Sequence, residues 1–504
     1  MEIQCSLDVR YAEQIAALLR PPSPQEIQYS HRPTALDCWH NSKHPTIVQQ
    51  DYFEHLLAAR NCHGLKIKQS GEIGKGVYAN MDFEEEDLVL KDQMLVGAQH
   101  FSNKAEAFVC SHCFCYIGSI ELQIGRRLYL RSLKNRDTED LKDHVHTSKQ
   151  SKVPESNVSD VHVQKTAGSS KGAIPEGMVD ALMNGGLTLP YSKEFPLPPV
   201  FSCIGGCREE YYCSKSCAEA DWESCHSLLC VGKESGGSGT CREALARFYE
   251  HAAETNDIFI LAAKVISSTI LKYQNLKTAN HECQKKKMKT SEISGPNFPF
   301  LLEAWKPFSM GYKQRWWDCV ALPDDVECSE ETSFRMQMKD LAFKSLQLLK
   351  AAIFTEECAP LFSLEIYGHI IGMFELNNLD LVVASPVEDY FIHISDLPPL
   401  EMEEADKFTR PLLDTLGDDY AVSCEGTAFF PIHSCMNHSC CPNTKAFKRD
   451  EDRDGQATII ALRPISRGEE VTISYIDEDL PCEDRQASLA DYGFQCNCPK
   501  CLEE

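Results

Sequence analysis

Three short words close this chain in a fixed order and constrain its folding more than any other feature. They are HSCMNHSCCPN (His433 to Asn443), RGEEVTISYID (Arg467 to Asp477) and ADYGFQCNCPKC (Ala490 to Cys501). The last carries Cys496, Cys498 and Cys501, three thiols at metal-ligand spacing and one short of a tetrahedral structural site. Upstream, Cys110 and Cys113 form a C-x-x-C, followed after a long gap by Cys203, Cys207, Cys213, Cys217, His226 and Cys230. These are eight ligands in four pairs, enough for two tetrahedral zinc sites, one of four cysteines and one of three cysteines and a histidine. Use as small buried hydrophobes accounts for one or two of these cysteines but not for the series.

Composition narrows the setting. The 25 cysteines are an odd number and fall in C-x-x-C and C-x-C groupings, which suits thiolate metal sites in a reducing compartment better than a secreted disulfide scaffold. MEIQCSLDVRYAEQ at the start lacks a basic stretch followed by a long apolar core, so no secretory signal is expected. DIFILAAKVISSTIL is broken by Lys264 and reads as a buried helix, not a membrane span. A formal net charge of -25 argues against non-specific nucleic-acid binding and suits a cationic partner such as a lysine-rich peptide. The expected partners therefore include neither a membrane nor a sequence-specific nucleic acid.

One more word stands near the front. LKIKQSGEIGKGVYANMDFEEEDLVLKD (Leu65 to Asp92) reads as three strands, with Gly74 and Gly76 bracketing Lys75 at a turn where glycine permits positive φ or close approach to a ligand. Alone it is a hairpin turn. Placed before the C-terminal words, it resembles the glycine motif that opens a SET domain, whose second half those words resemble in turn. YYCSKSCAEADWESCHSLLC resembles a MYND finger. A SET domain split by a MYND finger is the arrangement of the SMYD family, and the overall look of the chain is similar to plant trithorax-related SET proteins.

The resemblance covers about Leu65 to Cys501 and implies a mixed α+β fold: a SET β-fold with a pseudoknot, interrupted by the finger and a helical insert and closed by a zinc-binding post-SET segment. The expected division is 1–63, an N-terminal extension with no assigned chemistry; 64–109, the first part of SET; 110–230, the finger, with a disordered insertion over about 131–200; 231–360, a helical insert; 361–478, the SET core; and 479–504, the post-SET segment. The insertion is assigned from its Ser, Lys and Asp content and few aromatics, too little apolar surface to offset chain entropy. Helical spacing marks Val9 to Leu19, Tyr52 to Ala59, Cys241 to Tyr273 and Ser333 to Ile353, while the acidic run from Asp396 to Asp419 reads as a surface loop. KKKMK (Lys285 to Lys289) reads as a solvated loop, with nuclear import the lesser reading. Many animal relatives continue into a further helical domain, so a chain ending three residues after Cys501 is expected to have a more open substrate groove.

What the resemblance implies chemically is transfer of a methyl group from S-adenosylmethionine to a protein lysine. Gly74, Lys75 and Gly76 would lie against the cofactor, Asn437 and His438 would hold it, Asn377 would help, with Asn378 next to it as the other choice, and Phe494 would pack on the adenine. A free lysine, with a pKa of about 10.4, must lose its proton to attack, and an apolar channel favours the neutral amine. Tyr475 and Tyr492 resemble the tyrosines lining that channel, Tyr475 being the catalytic position, where it orients the amine. The family interleaves its finger ligands, implying Cys110, Cys113, Cys213 and Cys217 on one zinc and Cys203, Cys207, His226 and Cys230 on the other. The pair Cys203–Cys207 has one residue more between its cysteines than is usual, and Cys115 and Cys225 stand by as substitutes. Cys440 is the implied fourth ligand to Cys496, Cys498 and Cys501, a third zinc, with Cys441 adjacent. The leading expectation is a nuclear enzyme, with the cytoplasm as a second location, acting on histone H3 or another lysine-containing protein. The rival is an adaptor whose finger binds proline-containing peptides beside an inert SET scaffold.

Overall fold

The computed structural model describes residues 6–20, 45–70, 74–146, 176–233, 239–286, 297–311, 314–323, 326, 329–449 and 451–504. The front word becomes an antiparallel hairpin of β1 (Leu65–Ser70) and β2 (Gly74–Ala79), with Leu65 opposite Ala79 and Ser70 opposite Gly74. Leu65, Ile67, Val77 and Ala79 are buried, so one face of the hairpin meets the core at the period of two that a strand imposes. Gly74 starts β2 at φ +83°, a backbone state that side chains with a Cβ resist.

The remaining strands are β3 (Leu88–Asp92), β4 (Val96–Gln99), β5 (Phe201–Ser202), β6 (Tyr211–Tyr212), β7 (Asn378–Val383), β8 (Cys424–Phe429), β9 (Asn437–His438), β10 (Thr444–Ala446), β11 (Ala457–Ala461) and β12 (Glu470–Ile473). They assemble as small sheets in the orders β1-β2-β12-β9, β10-β11-β3 and β4-β8-β7, with β5 and β6 paired within the cysteine-rich insert. β12 runs antiparallel to β2 and parallel to β9. The architecture is therefore mixed α/β, with strands from both ends of the chain meeting on β12.

Helices fill the rest. Gly239–Glu254, Ile258–Lys286 and Glu331–Ile353 follow the helical spacing of the sequence and share one core with Leu364–Asn377, a helix whose N-cap Ser363 accepts the Ile366 amide at 3.1 Å. The N-terminal helix Ala12–Leu19 joins that core through Ile15 and Leu18, and the Trp305 indole donates to the Leu18 carbonyl at 2.8 Å. Among the described residues no helix is long and apolar enough to cross a membrane.

Two expectations give way to order. The acidic run read as a surface loop holds the helix Pro399–Leu416, which buries Ala405, Thr409, Leu412 and Leu416 at helical spacing while its carboxylates face outward. Judging that run by its charge hid its period. Of the insertion expected to be disordered over 131–200, residues 131–146 continue the helix Ile120–His146, and 176–200 hold the helix Glu176–Asn184 and a packed tail. Leu182 and Leu189 are buried against Val387, Tyr390 and Leu412, and the Glu121 carboxylate accepts from the Leu189 amide at 2.9 Å and the Ser192 hydroxyl at 2.5 Å. A composition averaged over the whole segment masked those few apolar anchors. Residues 147–175, 234–238 and Lys287 to Lys289 of the lysine cluster lie outside the described residues.

The turn ahead of β9 is fixed by one buried carboxylate. Asp92, at the end of β3, accepts from the amides of Ile432 at 2.8 Å and His433 at 3.0 Å, and from the Arg60 guanidinium. Asp92→Ala leaves two buried amides and a partly buried cation without their acceptor, so it is expected to cost about 3–5 kcal/mol. Urea unfolding followed by tryptophan fluorescence measures this; an unchanged midpoint would show that the clamp carries no stability.

Candidate active site and metal centres

The strand arrangement gathers the separated words around one cavity of about 870 Å³. Gly74 and Lys75 enter from β2, Asn377 from the end of the helix Leu364–Asn377, Asn437 from β9, Tyr475 from just past β12, and Tyr492 and Phe494 from the C-terminal segment. Its size lies in the range of small-molecule sites.

Gly76 and His438 support that wall without bordering the cavity. A Cβ on Gly76 would lie 2.6 Å from Glu470 Oε1 and 3.2 Å from Asn437 Nδ2, so only glycine lets β2 pass the hydrogen bond of 2.7 Å that Asn437 Nδ2 donates to Glu470. His438 Nδ1 accepts the Tyr475 backbone amide at 3.0 Å, which puts the ring proton on Nε2, 3.2 Å from Cys440 Sγ. Burial, with the Arg485 charge adding, pushes the His438 pKa down to about 4, consistent with that neutral ring.

Four aromatic rings meet here. Tyr475 lies 5.2 Å from Tyr492, 5.4 Å from His438 and 6.3 Å from Phe494, centre to centre. The Tyr475 hydroxyl donates to the Met436 carbonyl at 2.5 Å, and burial pushes its pKa well above the usual value, so it stays a neutral phenol with lone pairs to offer. Asn377 turns its amide back to the Met373 carbonyl at 2.8 Å, and the Lys75 ammonium donates to the Met310 carbonyl. The sequence reading did not include Met310, Gly311, Asp380 or Ser434 in this wall; nothing in their spacing marks them, because only the fold brings them there.

Three groups of cysteine and histidine converge in the sets that the family resemblance implied. Cys110, Cys113, Cys213 and Cys217 form one, Cys203, Cys207, His226 and Cys230 another, and Cys440, Cys496, Cys498 and Cys501 the third, the ligand atoms of each lying within 4.8 Å of one another. Cys113–Cys213 and Cys203–Cys230 sulfurs stand 3.6 and 3.7 Å apart, Cys440–Cys501 sulfurs 3.5 Å, and Cys207 Sγ lies 3.4 Å from His226 Nε2. A tetrahedron with Zn–S bonds of about 2.3 Å has edges of roughly 3.8 Å, so each group can hold a zinc ion. Cys115, though 3.4 Å from Cys113, falls outside the first group, as Cys225 and Cys441 do the others.

The SET domain family model matches residues 270–476, which include β9, β12 and Tyr475. Histone-lysine N-methyltransferase ATXR2 of Arabidopsis thaliana is 56% identical over 500 residues, 99% of this chain and 98% of the relative. Protein-lysine N-trimethyltransferase SMYD5 of Gallus gallus is 25% identical over 312 residues, 58% of this chain and 64% of the relative. A SET and MYND domain-containing protein of Dictyostelium discoideum is 44% identical over 80 residues, 16% of this chain and 19% of the relative. The site thus belongs to a SET-domain methyltransferase, a class that uses S-adenosylmethionine. Within it, the chain belongs to the SET–MYND-like protein-lysine methyltransferases.

The close passage at Gly76 gives a direct test. Gly76→Val forces apart Glu470 and Asn437 and is expected to weaken binding of S-adenosylhomocysteine at least about tenfold in isothermal titration calorimetry. Unaltered affinity would mean that the Asn437 side chain has no part in holding the ligand.

Proposed function

We propose that this protein is a nuclear S-adenosylmethionine-dependent methyltransferase acting on lysines of histone H3. The observation that carries the reading is the single cavity bordered by Gly74, Asn437, Tyr475 and Phe494, residues drawn from widely separated parts of the chain. S-adenosylmethionine supplies an electrophilic methyl on a sulfonium sulfur. Gly74, Lys75, Asn437 and Asn377 would hold it, Gly76 and His438 would support that wall from behind, and Phe494 would cover its adenine. Tyr475 and Tyr492 would line the channel that admits the lysine. An apolar, aromatic channel disfavours the ammonium, so the amine arrives able to attack. The Tyr475 phenol, neutral and anchored on Met436, orients the amine rather than removing its proton.

The cysteine-rich insert is, in this reading, a MYND finger with two interleaved zinc ions that takes proline-containing peptides, and the C-terminal cysteines form a post-SET lid on a third. The parallel pairing of β9 with β12 supports the threaded pseudoknot of the SET fold. A histone lysine, of no stated histone, is what the name of the Arabidopsis relative gives, and the net charge of -25 favours so basic a partner.

Tyr475→Phe tests the chemistry. Loss of the hydroxyl is expected to lower methyl transfer to histone H3 by on the order of a hundredfold, the cost of a misplaced reactant, while S-adenosylhomocysteine still binds. Unchanged turnover would remove Tyr475 from the mechanism. Binding of that ligand by the unaltered protein with no lysine methylated would favour the adaptor. The metal assignment predicts three zinc ions per chain by plasma mass spectrometry and two in Cys496→Ser; three in both would rule out Cys496 as a ligand.

A further inference from the structure

His433 stands four residues ahead of Asn437, in the short turn His433–Cys435, and no role has been given to it above. It borders the cavity with only 5% of its surface exposed. Neither Nδ1 nor Nε2 has a hydrogen-bond partner among the described residues. Several other buried polar atoms are also unpaired, on Ser385, Thr458 and His251 among others, but of these side chains only His433 borders the cavity. The ring is held in place: its backbone amide is clamped by Asp92, and Phe430 meets it edge to face at 6.5 Å. An imidazole buried with both nitrogens unmatched is costly, and in a native site such a group points to a partner supplied from outside the chain.

The chemistry of the cavity indicates which partner. The polar groups of the cofactor already have Asn437, Asn377, Gly74 and Lys75 as proposed contacts. The reactant still needing acceptors is the amine, which brings N–H donors into an aromatic channel. Tyr475 Oη offers lone pairs, having given its proton to Met436. Resting on the methyltransferase reading, we propose that His433 is a substrate-contact residue whose ring nitrogen accepts a hydrogen bond from the ε-amine of the target lysine. Burial pushes the His433 pKa down to about 4, so at neutral pH the ring is uncharged and one nitrogen keeps its lone pair. A neutral acceptor admits an amine without repelling it, as an imidazolium would.

The test compares the full chain with His433→Leu and His433→Gln, using the histone H3 peptide that the unaltered protein methylates. Peptide binding is read by fluorescence anisotropy with S-adenosylhomocysteine present, cofactor binding by calorimetry, and stability by thermal melting without ligands. For His433→Leu, peptide affinity is expected to fall about tenfold, with cofactor affinity within about twofold of wild type. Its melting point should not fall, because an unpaired polar group has been replaced by an apolar one. His433→Gln keeps an acceptor and should recover most of the peptide affinity. Peptide affinity unchanged in His433→Leu would overturn the proposal. So would a loss confined to S-adenosylhomocysteine, which would place the ring on the cofactor, or a lowered melting point restored by glutamine, which would make it structural. If the unaltered protein methylates no lysine, the enzymatic reading fails first, before any variant is made.

Discussion

Four residues of β12 hold this site together. Glu470 and Val471 pair with Tyr78 and Val77 of β2, and Thr472 and Ile473 pair with Asn437 and His438 of β9. One short strand thus joins the front hairpin to the asparagine–histidine pair and then delivers Tyr475 two residues later. A two-residue parallel ladder is weak, and side chains reinforce it. Buried Asn443 donates to the Glu470 carbonyl at 2.7 Å and accepts the Thr472 amide at 2.8 Å, while the Thr444 hydroxyl donates to the Thr472 carbonyl at 2.8 Å. The asparagine ending NHSCCPN therefore serves as a substitute strand edge, satisfying backbone groups that a longer ladder would have paired.

The third cysteine group extends the same logic to the C-terminus. His438 connects to Tyr475 through one ring nitrogen and to Cys440 through the other, so a cysteine of the third group and a wall of the cavity share one imidazole. Gln486 grips Cys496 at both its amide and its carbonyl, at 3.0 and 2.8 Å, and buried Arg485 reaches Cys501 at 3.6 Å and Glu504 at 3.0 Å. A four-thiolate zinc site carries net negative charge, and a guanidinium donating to a ligand sulfur offsets it. Outer contacts of this kind orient ligands and tune the ion. A metal held by this group would be coupled to Tyr492 and Phe494, because both sit on the segment that carries Cys496.

How much of this was legible in the sequence depends on what each residue's role leaves in its spacing. Metal ligands leave a mark in spacing, so the cysteines of the insert and of the C-terminal word stood out as ligands, but which four share an ion, and Cys440 as the partner of Cys496, Cys498 and Cys501, came only from the family resemblance. Glycine at 76 and the Asn437–His438 pair, whose close approach and contacts appear only in the fold, say little alone and were picked out through the same resemblance. His433 was not, because a histidine inside HSCMNHSC looks like any other, and only burial without partners sets it apart. The helices Glu176–Asn184 and Pro399–Leu416 were hidden differently. Each buries only a few apolar side chains within a polar run, and the two become intelligible once they are seen to pack on each other's neighbours, Leu189 with Tyr390 and Leu412.

Large insertions sit within a small catalytic fold without disrupting it, and the sheet β4-β8-β7 explains how. β4 and β7 flank β8 on its two sides, Val96 and Asn378 both opposite Phe429, so the chain leaves and re-enters the core within a few strand widths. The entropy of closing that excursion grows only with the logarithm of its length. What the insertion must supply is therefore small: its own core, which Phe259, Trp305 and Tyr367 provide, and return contacts that fix its ends. Lys264 donates to the Gly97 carbonyl of β4 at 2.8 Å, and the helix Leu364–Asn377 leads straight into β7. The excursion is pinned to both strands between which it departs, and Asn377, the last residue of the helix before β7, meets the cavity wall for that reason.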